Sequence, residues 1–177
     1  MKKIIVILLV ICSCQKLQPE DVLIPEYPDF KELMNQQVEA LAESSIQKEV
    51  WLEGKNEVQA LEMDSIMWAD ELFFLKEVNP NQPEYVGAFE KSIEYDFQVL
   101  ELKEEESGPL KKVKYLQRNG SYQLIQITFH EDKDVYVHHR DIEMDFKEGV
   151  LNSLLINGYQ KMMFKDTVRF GVKLVVN

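Results

Sequence analysis

The sequence predicts an α+β fold, with N-terminal amphipathic helices packed on a long, curved antiparallel β-meander. Three observations predict it. Apolar residues recur at helical spacing between Asp29 and Val78. After Asn79-Pro80-Asn81-Gln82-Pro83 the period drops to two, in short β-branched and aromatic runs. Asn-Gly pairs, the residues of tight hairpin turns, punctuate those runs.

Taken in order, Asp29 is placed to cap the first helix, and Glu32 stands three residues on in the capping-box position. Phe30, Leu33, Met34, Val38, Leu41 and Ala42 make its apolar stripe, and it ends near Ser44-Ser45. Residues 46–52 read as a strand. Glu53-Gly54-Lys55-Asn56 reads as a turn, with return pairing through Val58. A second helix is expected from Asp64 or Ser65 to about Val78. Trp68, Ala69, Leu72 and Leu75 form its main face, with Ile66 and Phe73 beside it. The proline-rich stop follows. The meander is then expected over 97–102, 110–117, 121–130, 135–140, 142–146, 151–156, 159–164 and 168–176. Asn119-Gly120 and Asn157-Gly158 are its hairpin turns.

Register can be argued at Asn119-Gly120. A two-residue loop sets Val113 and Tyr115 on the face of Leu124 and Gln126. A three-residue loop with Gly120 left-handed sets them with Ile125, Ile127 and Phe129. A slip of one residue turns every side chain to the other face, so the apolar pattern favours the longer loop.

The first residues carry an address. Lys2 and Lys3 precede an unbroken apolar run from Ile4 to Ile11, and Ile11-Cys12-Ser13-Cys14 follows. A charged start, a short apolar run and a small residue at the cut describe a secretory signal peptide. A membrane span needs about 20 apolar residues, more than this run supplies. The aliphatic, free, small, cysteine order of residues 11–14 resembles the lipobox of bacterial lipoproteins. The resemblance implies cleavage before Cys14 and acylation of its sulfur. Each buried CH₂ contributes about 0.8 kcal/mol, and two or more chains make a stable anchor. Gln15, rather than Asp, implies an outer-membrane address, with the periplasmic side favoured over the cell surface. The expected organisation is a signal peptide over 1–13, a lipidated tether over 14–28 and one domain over 29–177.

Composition then bounds the chemistry. Cys12 and Cys14 are the only cysteines. One is discarded and one is lipidated, so no disulfide can form within the mature chain. Loss of Lys2 and Lys3 takes the net charge from −11 to −13, which argues against nucleic acid as a partner. No phosphate loop, nucleophile elbow, zincin helix or CxxC pair occurs in the sequence.

His130, His138 and His139 flank Glu131-Asp132-Lys133-Asp134. A tight loop there pairs His130 with Val135. His138 then falls opposite Ile127 and His139 opposite Gln126, too far from His130 to share a metal ion. Asp141, Glu143 and Asp145 alternate along one strand and read as its wet side. Trp51, Trp68, Phe73, Phe74, Tyr85 and Phe89 are the candidate ligand or partner surface, and adjacent Phe73 and Phe74 must point to different sides.

No cofactor, metal or catalytic residue is expected. The first reading is a membrane-anchored, non-catalytic interaction module that binds another envelope protein. The alternative is a carrier or sensor of an apolar ligand in a half-barrel like that of lipoprotein carriers. A hydrolase is third. Residues 29–177 are loosely similar only to uncharacterised envelope lipoproteins, on the helix and the segment Lys48-Glu49-Val50-Trp51-Leu52-Glu53-Gly54-Lys55.

Overall fold

A computed structural model describes residues 26–177. The expected signal peptide, the lipid site Cys14 and the tether through Pro25 lie outside the described residues. Helix α1 spans Phe30–Ala40, and strands β1 and β2 span Ser44–Leu52 and Lys55–Met63. Two short helices follow, α2 at Ser65–Glu71 and α3 at Phe74–Glu77, then a 3₁₀ turn at Pro83–Tyr85. The remaining strands are β3 Phe89–Glu94, β4 Phe97–Leu102, β5 Leu110–Arg118 and β6 Ser121–Lys133. They continue with β7 Tyr136–Lys147, β8 Val150–Met162 and β9 Val168–Val176.

All nine strands form one antiparallel sheet in the order β2-β1-β9-β8-β7-β6-β5-β4-β3. The N-terminal hairpin therefore pairs with the last strand, Ile46 opposite Val176 and Leu52 opposite Phe170. One cross-strand row, Val113–Ile127–Ile142–Ile156–Val172–Val50, crosses six strands on a single face. The helices cover this face. Phe30, Leu33, Trp68, Leu72 and Leu75 pack into one cluster with Val113, Ile127, Ile142, Leu154 and Leu174. Full burial of each such side chain contributes roughly 1.5–3 kcal/mol. Among the described residues the opposite face, the open face, carries no helix.

Asp29 caps α1 as expected, accepting from the amides of Lys31 and Glu32 at 3.0 and 3.1 Å. Glu32 does not complete the box, because its carboxylate accepts from Gln36 instead. The helix stops four residues early, and Ser44-Ser45 begins β1. Ala42 is exposed. Tyr27, from the expected tether, is buried edge-on to Phe89. Asn81, within the proline-rich stop, holds it by accepting from the Tyr27 amide and donating to the Tyr27 and Pro28 carbonyls.

Several expectations need correction. The second helix is broken at Leu72-Phe73, which lets Phe74, Leu75 and Val78 join Trp68 and Leu72 in the core. Ile66 is left 72 % exposed and Phe73 51 % exposed. Strand β3 has no counterpart in the sequence reading. The expected strands 135–140, from Tyr136 onward, and 142–146 belong to one strand, as do 151–156 and 159–164 as far as Met162. Asn157-Gly158 is therefore no turn. Ile156 and Tyr159 pair outward with both β7 and β9, and Gly158 is small because the Phe170 ring lies across it. The true turn is Glu148-Gly149, both left-handed at φ 55° and 83°.

The faces at Asn119-Gly120 are as expected, but the route differs. Both turn residues are left-handed and Arg118 pairs directly with Ser121, a two-residue turn. A bulge at Gln123 then shifts the register by one, so that Tyr115 meets Ile125 and Val113 meets Ile127.

Candidate functional site

Pairing alone specifies the open face. One row runs Lys112–Thr128–Asp141–Asn157–Gly171–Trp51. A second, one pleat along, runs His130–His139–Tyr159–Arg169. Where they meet lies an open cleft of about 390 Å³ lined by Trp51, His139, Asp141, Asn157, Tyr159 and Arg169, among others. A neighbouring cleft of about 300 Å³ shares Asp141 and Asn157 with it and extends to Lys112 and Lys114.

Trp51 is fixed by the residue opposite. A Cβ at Gly171 would stand 2.1 Å from Cε2 and Cζ2 of the indole and 2.5 Å from Nε1. The indole thus lies across the strand at Gly171, an aromatic ring covering a strand glycine. Tyr159 stacks on His139, with ring centroids 5.1 Å apart, and His139 Nε2 meets Asp141 Oδ2 at 2.9 Å. These contacts hold the polar wall beside the indole.

The charges of the open face are largely paired. Lys114 and Lys112 bond to Glu94, and together they hold its carboxyl below the ordinary range, Lys114 most. Burial works against the Lys112 ammonium, but Glu101 and Glu94 outweigh it and raise its pKa. Glu143 accepts from Gln126 at 2.8 Å, Asp141 from Thr128 at 3.1 Å and Asp145 from Asn152 at 3.2 Å. The alternating carboxylates thus line the wet side of β7, each with a neutral partner. Among the described residues no group of three or more His, Cys, Asp or Glu side chains is arranged to hold a metal ion.

The histidines do not sit where the sequence reading placed them. The β6–β7 turn is Asp134-Val135, because the charged residues 131–133 continue β6 beyond the body of the sheet, where both faces are wet. His130 therefore pairs with His139, with rings 5.6 Å apart, and His138 pairs with Glu131. His138 lies on the helix-bearing face between Phe129 and Phe170.

The six candidate aromatics are not brought together. Trp68 and Tyr85 are completely buried, and Phe74 and Phe89 nearly so. Trp68 donates its indole N–H to Ser44 Oγ, and the Tyr85 hydroxyl accepts from the Leu110 amide, both at 3.0 Å. Those four are core. Phe73 is exposed beneath the Lys76 ammonium, and Trp51 alone lines the open-face cleft. Sequence reasoning missed Asn157, Tyr159, Arg169 and Gly171. The available signal was Gly171 itself, since a glycine inside an alternating strand marks close approach of another group.

A second surface lies at the end of the sheet away from α1. The helix layer is bounded by two ion pairs, Lys48 with Glu71 and Arg140 with Glu77. Beyond them the helix-bearing face is uncovered, and Leu52, Met162 and Val168 are 52, 56 and 41 % exposed. The adjoining loop tips add Val135, Met163 and Phe164, the last 97 % exposed, and the Met163 amide bonds the Val135 carbonyl at 2.8 Å. Three chain segments thus place their apolar residues side by side.

No protein family, curated protein or solved structure matches this chain.

Proposed function

We propose that the chain is a bacterial lipoprotein held at the outer membrane by acyl chains on Cys14, and that it acts as a non-catalytic docking module for another envelope protein. The apolar end carries the docking reading. Leu52, Met162, Val168, Val135, Met163 and Phe164 form an exposed group on three neighbouring segments. Soluble monomers rarely expose such contiguous surface without a use, and methionine and aromatic residues are enriched where proteins meet. What weighs against carriage of an apolar ligand is the filling beneath the helices, where Phe30, Trp68, Leu72 and Leu75 are buried in one cluster with the sheet.

The test is photo-crosslinking of the full chain in cells, with a benzophenone amino acid at position 164 and, as control, at Tyr95. Tyr95 is 99 % exposed at the opposite end of the sheet. One discrete adduct from position 164 and none from 95 is expected. No adduct at 164, or the same ladder from both positions, removes the docking reading. Cys14→Ser is expected to move the chain from the membrane to the soluble fraction, and retention of this variant at the membrane would remove the anchor.

A further inference from the structure

The open-face cleft lies on the opposite side of the sheet from the apolar end, with Trp51 and Arg169 next in the chain to Leu52 and Val168, and it has different chemistry. One side of the Trp51 indole rests on Gly171, while the ring also lines the cleft. Beside it stand one carboxylate, one amide, one guanidinium, one phenol and one imidazole: Asp141, Asn157, Arg169, Tyr159 and His139. Asp141, Asn157 and Arg169 are exposed, and Asp141, which meets Thr128 with one oxygen and His139 with the other, keeps a further lone pair on each.

This combination selects a ligand class. A sugar ring presents an apolar C–H face to an aromatic plane and a rim of hydroxyls that both donate and accept. Carboxylate, amide and guanidinium groups together match such a rim, since they supply acceptors and donors in fixed forks. A multiply charged anion fits less well. Lys112 and Lys114 already bond to Glu94, and Asp141 would face the anion. Nucleic acid fits worse still on a chain of net charge −11.

We propose that this cleft binds a neutral oligosaccharide, with one ring stacked on Trp51 and its hydroxyls bonded by Asp141, Asn157 and Arg169. Strands stand about 4.8 Å apart and residues rise about 3.3 Å along them, so Trp51 and Tyr159 lie roughly 12 Å apart at the backbone. With the adjoining cleft, that span fits a short chain of sugars rather than a single ring. The recognition is independent of the docking end and stands or falls separately from it.

The test is calorimetric titration of the purified full chain, in a detergent without a sugar headgroup. Cellotetraose, maltotetraose, mannotetraose and chitotetraose are the probes, each used alone. At least one is expected to bind saturably, with a change in tryptophan fluorescence. That signal comes from Trp51, because Trp68 is fully buried. Trp51→Ala should abolish binding. Asp141→Ala and Asn157→Ala should each weaken it about tenfold or more while leaving the thermal midpoint near the parent value. The exposed-residue variants keep the test decisive if Trp51→Ala folds poorly. No saturable heat from any of the four sugars in the millimolar range would overturn the proposal, as would affinity unchanged in both Asp141→Ala and Asn157→Ala.

Discussion

At the scale of single residues, His138 shows how placement sets chemistry. It sits on the helix-bearing face with its ring 5.7 Å from that of Phe129 and 6.1 Å from that of Phe170. Burial is the main reason its pKa lies below the ordinary histidine value, and the Arg140 guanidinium adds to the depression. Glu131 and Glu77 pull the other way, and His139 adds a small lowering. A histidine depressed in the folded state binds its proton more readily once unfolded. Its contribution to stability is therefore fully present above the unfolded pKa of about 6.5, and is lost as pH falls through that value toward the folded one. His138→Gln removes the titration but keeps a polar side chain. The drop in urea midpoint between about pH 7.5 and pH 5 is expected to be shallower in this variant than in the parent. An equal or steeper drop would show that His138 is not coupled to folding. None of this was legible in the sequence, because pairing Glu131 with His138 depends on where a charged turn closes, and the reading closed it too early.

At the scale of elements, periodicity told the truth where one face is buried and failed where both faces are paired or wet. Helix α1 was legible from Asp29 through its apolar stripe, because a capped amphipathic helix writes its pattern locally. The central strand β8 was not. Asn157-Gly158 carries a turn signature, yet the neighbours on both sides satisfy the backbone that a turn would have bent back. The link between these two elements is Gln37, a buried polar residue on α1. Its amide donates to the Gly149 carbonyl at 3.0 Å and accepts from the Leu151 amide at 2.7 Å, pinning the β7–β8 turn to the helix. Gln37→Leu keeps the bulk but strands two backbone groups. A buried backbone group without a partner costs about 1–3 kcal/mol, so the variant is expected to lose about 2 kcal/mol or more in urea unfolding. A loss below about 0.5 kcal/mol, the range of ordinary surface changes, would mean that water replaces the clamp.

At the scale of the whole molecule, the sheet formed by the described residues is open and leaves two edges, β2 and β3. The strand order was beyond local patterning. Nothing near residues 46–52 announces that they pair with 170–176, more than a hundred residues later. That closure places β2 outermost beside β1, whose Val50 and Leu52 are already exposed on the helix-bearing face. Their cross-strand partners are Glu57 and Lys55, and Gln59 follows on the same face. An edge strand offers unpaired amides and carbonyls to any passing strand, and charge on the edge is the usual protection. Glu57 and Lys55 therefore separate the apolar row from a strand that would otherwise extend it. The combined change Lys55→Thr, Glu57→Val and Gln59→Val removes that barrier without touching the core. At equal concentration the variant is expected to run at a larger mass than the parent in light scattering coupled to gel filtration, while its thermal midpoint stays close to the parent value. A variant that keeps the parent mass would shift the protection from side-chain charge to the twist of the edge itself, since twist alone can deny an edge a flat partner.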